Sequence, residues 1–131
     1  MRKGHAMARI VHIALKVEDL EKAGRFYETV FGFKRVEEGQ IRDHTSRHLS
    51  DGTIDLALIK YDRQSPESLL SGKGSCIHHF GIEVEDLEAA VRELQATGCE
   101  ILSPPGELPV KFRDPSGVVA ELVPVGRYKT P

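Results

Sequence analysis

The chain has 131 residues, 40% of them apolar and 29% charged, with 12 Gly and 7 Pro; this suits one globular domain and excludes collagen-like, low-complexity and wholly disordered chains. A formal net charge of -2 with pI near 6.3 lacks the basic face of a nucleic-acid binder, and the short run Arg2-Lys3 does not supply one. No stretch approaches the length of an apolar membrane span, the start of the chain has no apolar core followed by a small-residue cleavage site, and Cys76 and Cys99 have no CxxC spacing, so a cytoplasmic protein with free thiols is expected.

The chain repeats itself. Residues 10–25 read IVHIALKVEDLEKAGR and residues 77–92 read IHHFGIEVEDLEAAVR, with nine of 16 positions identical at an offset of 67. Roughly one match is expected by chance. A duplicated unit of half the chain is too small to hold a good core alone, so the two copies must pack into one unit. The expected organisation is a single domain over 1–131, with one module at about 8–61, a linker at 62–76, a second module at 77–124 and a frayed tail at 125–131.

In chain order, each copy opens with a strand: residues 10–17 alternate Ile10, His12, Ala14 against Val11, Ile13, Leu15, the period of a half-buried strand. Asp19 and Asp86 read as N-caps of helices over 20–31 and 87–97. Gly32 and Gly98 then read as helix stops. Strands are expected at 33–37, 41–49 and 53–61, with Asp51-Gly52 as the hairpin turn between the last two. Their counterparts are 100–102, 110–113 and 118–123, joined by the turn Asp114-Pro115-Ser116-Gly117. Each copy therefore reads β-α-β-β-β, an α+β pattern with a mixed sheet and the helices on one face. The aromatic residues Phe26, Tyr27, Phe31 and Phe33 read as core around the first helix and its exit.

Certain polar residues interrupt the apolar strands. Alone, His12 or His79 reads as a satisfied core histidine. As equivalents in a repeat, they occupy symmetric places about one axis and can converge. Glu121 sits in VVAELV, where an unpaired buried carboxylate is costly. Alternation puts Val118, Ala120 and Leu122 on one side and Glu121 on the other, concave side. Its counterpart in the first copy depends on register. An offset of 65 pairs it with Leu56 and one of 66 pairs it with Asp55; the second is preferred because it leaves Ile54, Leu56 and Leu58 as the apolar side. Two imidazoles and one or two carboxylates suit one divalent ion such as Fe, Mn, Co, Ni or Zn. His44 and His48 share a strand face; they read as surface histidines, with His48 a candidate cleft residue. Lys111 and Arg113 read as solvated, or as contacts to an anionic substrate.

At these residues the chain resembles the vicinal oxygen chelate superfamily, which holds glyoxalase I, methylmalonyl-CoA epimerase, extradiol dioxygenases and the bleomycin and fosfomycin resistance proteins. The resemblance lies in H-x-A-L-x-V-x-D-L-x-K-A-x-x-F-Y-x-x-x-F-G-F at 12–33, HHFGIEVEDLEAAVREL at 78–94 and DPSGVVAELV at 114–123. It implies two tandem βαβββ modules forming a U-shaped, partly open eight-stranded barrel with the helices outside. It further implies His12, His79 and Glu121 as metal ligands. Asp55 stands where glyoxalases and epimerases often have Glu or Gln, one methylene longer, so it is a shorter fourth ligand or none. The implied function is that of a metal-dependent lyase or isomerase whose substrate offers two adjacent oxygens, with Glu121 or Asp55 as general base. Metal-free sequestration of a small molecule is the alternative, and dioxygenase or thiol-transferase chemistry a further one. A homodimer without nucleic-acid or membrane partners is expected.

Overall fold

The computed structural model describes residues 8–131, so the Arg2-Lys3 run lies outside the described residues. Its elements are β1 (Ala8–Lys16), α1 (Leu20–Phe31), β2 (Lys34–Ile41), β3 (His44–Ser50), β4 (Asp55–Tyr61), β5 (Cys76–Val84), α2 (Leu87–Ala96), β6 (Val110–Arg113) and β7 (Val119–Pro124).

Both helices start where a carboxylate satisfies an orphan N–H. The Asp19 side chain accepts from the Lys22 amide and the Asp86 side chain from the Ala89 amide, each at 3.0 Å. Gly32 ends α1 in the left-handed region at φ 73°, which glycine enters without steric cost.

The strands form one open, seven-stranded mixed sheet in the order β2-β3-β4-β1-β5-β7-β6. β1 runs antiparallel to β5 at the centre, β4 parallel to β1 on one flank and β7 parallel to β5 on the other. The two histidine-bearing strands are therefore neighbours, and the two carboxylate-bearing strands flank them. α2 lays Leu87, Ala90, Val91 and Leu94 over a core of Val84, Phe112, Ala120 and Leu122. Glu121 consequently faces away from the helix, as the alternation in its strand requires.

Three expectations need correction. Seven strands form among the described residues, not eight: Ile101 makes an isolated bridge to Phe112, with Leu102 donating to the Lys111 carbonyl at 2.7 Å. Pro104 and Pro105 follow one residue later, after Ser103, and cannot donate to a ladder, so pairing stops there. The first hairpin turn falls at Arg42-Asp43, because Ile41 pairs with His44 and Arg42 takes φ 53°; the break expected between the strands 33–37 and 41–49 does not occur, since 38–40 lie within β2. Finally, Phe26 and Phe31 are not core. They are 50% and 59% exposed and pack edge-on against each other at 5.9 Å between centroids. The inward side of α1 carries buried Gly24, where the Arg47 side chain crosses it and donates to the Leu20 carbonyl at 3.3 Å.

Candidate metal centre

His12 from β1, His79 from β5 and Glu121 from β7 meet on the concave side of the sheet, 2%, 5% and 1% exposed. His79 Nε2 lies 3.0 Å from Glu121 Oε1 and 3.3 Å from His12 Nε2; His12 Nε2 lies 3.4 Å from Glu121 Oε2. The three donor atoms could share one ion. β1 and β5 approach closely here because Gly81 stands opposite His12. A Cβ on Gly81 would come within 3.0 Å of the His12 Cβ.

The remaining ring nitrogens are already engaged, and that fixes the tautomers. His12 Nδ1 donates to Asp55 Oδ2 at 2.6 Å. His78 Nε2 donates to the Glu67 carbonyl at 2.8 Å, and its Nδ1 accepts from His79 Nδ1 at 2.8 Å. Burial pushes the His78 imidazole down to about 4, which keeps it neutral and able to accept. Each ligand candidate thus turns a lone pair on Nε2 toward the other and toward the Glu121 carboxylate. Lone pairs facing one another and an anion repel unless a cation lies between them, so the donor set fits a divalent metal. Burial also lowers the pKa of His79, although its contact with Glu121 opposes this. Burial alone would raise the pKa of Glu121; the contact with His79, and the positive charge of His79 and His12 when the metal-free imidazoles are protonated, together with Lys111, outweigh it and hold the carboxyl well below the usual range.

Asp55 stands behind His12, not beside the three converging donors. Its carboxylate takes His12 on one side and His48 Nδ1 on the other, at 2.9 Å. Burial works to raise its pKa and these hydrogen bonds lower it further than burial raises it. Lys111 reaches the site, with Nζ 3.5 Å from Glu121 Oε1, and His48 lines the same cleft. Arg113 does not reach it: its guanidinium donates to the Gly117 carbonyl at 2.8 Å and the Leu70 carbonyl at 3.2 Å.

Sequence reasoning missed Tyr128. The tail is not frayed at this residue. The Tyr128 ring stacks on His12 at 4.2 Å between centroids, within 5° of parallel, and its hydroxyl donates to Glu121 Oε2 at 2.6 Å. Burial and the Glu121 charge raise the pKa of the phenol, which keeps it protonated as a donor. No local pattern announces it; only the tail's path across the cleft brings it there. His78 was passed over because the repeat register selects His79. The doublet His78-His79 was the available signal for a relay.

Among the described residues no helix is long and apolar enough to cross a membrane, and Cys76 and Cys99 are free thiols.

The sequence model of the Glyoxalase/Bleomycin resistance protein/Dioxygenase superfamily matches residues 9–122. The mitochondrial methylmalonyl-CoA epimerase of Bos taurus is 32% identical, over 88% of this chain and 74% of that one. A probable lactoylglutathione lyase of Vibrio cholerae is 26% identical, over 88% of this chain and 89% of that one. Among solved structures, methylmalonyl-CoA epimerase from Mycobacterium tuberculosis superposes with a TM-score of 0.73 at 22% identity, covering 88% of this chain and 86% of that one.

Proposed function

Because this chain belongs to the glyoxalase/bleomycin resistance protein/dioxygenase superfamily, we propose that it is a metal-dependent enzyme of isomerase or lyase type, holding one divalent ion on His12, His79 and Glu121. The observation that carries this reading is the pair of Nε2 lone pairs turned toward one another and toward Glu121, with every other ring nitrogen of His12, His78 and His79 already bonded. A divalent ion at such a site, with positions left open to substrate, supplies Lewis-acid stabilisation of negative charge on two adjacent substrate oxygens.

The chain's own residues do the rest. Asp55 holds His12 in the ligating tautomer and strengthens it as a donor; His78 does the same for His79 from the Glu67 carbonyl. Of the two carboxylates proposed as general base, Glu121 is the better placed. It faces the cleft, whereas Asp55 is enclosed between two imidazoles. Lys111 brings positive charge to the side where an anionic substrate group would lie. Methylmalonyl-CoA and hemithioacetals are the substrate classes that the epimerase and lyase relatives bring forward. We also retain a cytoplasmic homodimer as part of this reading.

Metal analysis of tag-free protein is expected to find bound divalent metal that His79→Ala and Glu121→Ala reduce by one equivalent. Turnover of methylmalonyl-CoA or of the methylglyoxal hemithioacetal, abolished by the same variants, completes the test. A small-molecule ligand bound equally well by wild type and both variants, with no metal change, would establish sequestration instead.

A further inference from the structure

We propose a second divalent-cation site, formed by Asp43, His44 and Glu67, at another part of the same cleft. Asp43 is carried by the β2–β3 turn, His44 opens β3 and Glu67 comes from the segment joining β4 to β5. None of them belongs to the His12/His79/Glu121 set, so this inference stands or falls separately from the proposed function.

The telling atom is His44 Nδ1. The residue is 8% exposed, and this nitrogen has no hydrogen-bond partner among the described residues. A buried ring nitrogen left unmade is costly. Two carboxylate oxygens lie near it, Asp43 Oδ1 at 3.5 Å and Glu67 Oε2 at 3.7 Å. Both separations are too long for a good hydrogen bond. They are close to what one ion imposes, since ligands at about 2.0–2.2 Å from a tetrahedral centre sit roughly 3.3–3.6 Å apart. The three donor atoms lie within 4.8 Å of one another.

The surroundings orient Glu67 for this task. The Tyr61 hydroxyl donates to Glu67 Oε2 at 2.9 Å, and Arg42 donates to Oε1 at 3.4 Å. Exposed acidic groups are common without an ion; here a buried imidazole whose Nδ1 has no hydrogen-bond partner lies within 3.7 Å of both carboxylates. One imidazole and two carboxylates suit Zn, Mn or Fe(II). His44 and Glu67 line the cleft that His12, His79 and Glu121 also line, so an anionic group entering that cleft would come near an ion held here. Glu67 also links the two places, because its carbonyl is the acceptor that fixes His78 and, through it, His79.

The test is calorimetric titration of the full chain with zinc chloride, with circular dichroism to verify folding. The His79→Ala/Glu121→Ala double variant is expected to bind one equivalent still. Adding His44→Ala should remove that equivalent. Asp43→Asn and Glu67→Gln, milder changes made in the same double variant, should each weaken it at least tenfold, and they decide the matter if the His44 variant does not fold. A double variant that binds no zinc, or binds it with an affinity unmoved by Glu67→Gln and Asp43→Asn, overturns the proposal.

Discussion

Asp55 pairs with His12 across neighbouring parallel strands, and its carboxylate meets the ring at Nδ1, 2.6 Å away, leaving Nε2 to the cleft. The aspartate carboxylate stops at the back edge of the ring, where it also meets His48 Nδ1 at 2.9 Å. In the proposed reading, Asp55 orients the ligand His12 and does not itself ligate.

Asp55→Ala is therefore expected to lower metal affinity by about 10–100-fold while one equivalent still binds at saturation. Asp55→Asn should lose less, because its carbonyl still accepts from His12 Nδ1. Competition titration against a chromophoric chelator measures both. Loss of the equivalent itself in both variants would make Asp55 a ligand.

Tyr128→Phe keeps the stack on His12 and removes the donor to Glu121 Oε2. Hydrogen bonds to charged groups are worth about 1.5–3 kcal/mol, so the metal-free protein should lose stability of that order in urea denaturation. Removing residues 125–131 should cost more, because the stack goes as well. An unchanged transition midpoint in both variants would count against the tail as part of the site.

Gly81→Ala touches no ligand atom, yet its methyl would lie 3.0 Å from the His12 Cβ and 3.1 Å from Cδ2. Overpacking of this kind costs about 1–3 kcal/mol. Thermal denaturation should show the loss, and metal affinity should fall with it because the His12 ring must turn. A variant with full stability but weakened metal binding would still locate the effect at His12; wild-type values of both would contradict the close approach.

The β3–β4 turn carries a pH dependence separate from the cleft. Asp51 Oδ1 accepts from the Thr53 amide and hydroxyl at 2.8 Å each and from the Ile54 amide at 2.9 Å. The Ile54 and Thr53 amides lead in lowering its pKa. A folded-state pKa below the unfolded one adds stability above the unfolded value, and that stability is lost as pH falls through the folded value. Asp51→Asn should thus melt at a lower temperature than wild type at about pH 7, and the gap should close below about pH 4, near the ordinary Asp pKa. A gap that stayed constant over this range would remove the charge from the explanation.

Much of the fold was legible in the sequence because its determinants are local. Asp19 and Asp86 mark helix starts by capping chemistry, and Leu87, Ala90, Val91 and Leu94 mark a helical stripe by spacing. Alternation in VVAELV placed Glu121 opposite the helix-packed side. Where a local cue misled, the physical reason is specific. The strand break expected at 38–40 falls instead at Arg42, which takes the left-handed region, and Phe26 and Phe31 have core chemistry but lie exposed on α1. The two prolines after Leu102 were legible too, and they explain why the eighth strand shrinks to a bridge.

By itself, the sequence determined the repeat, the helices and most strands, and the identity of the polar residues set into apolar strands, since each depends on neighbours a few positions apart or on matching the chain against itself. Only the tertiary structure decided what those residues do to one another. That β1 and β5 lie side by side makes His12 and His79 face each other. That Asp55 stops behind the ring, that Glu67 reaches back to His78, and that the tail returns to lay Tyr128 on His12 are contacts between 7 and 116 positions apart in the chain or across strand pairs. Hydrogen-bond direction and ring orientation are properties of such contacts, and no local pattern encodes them.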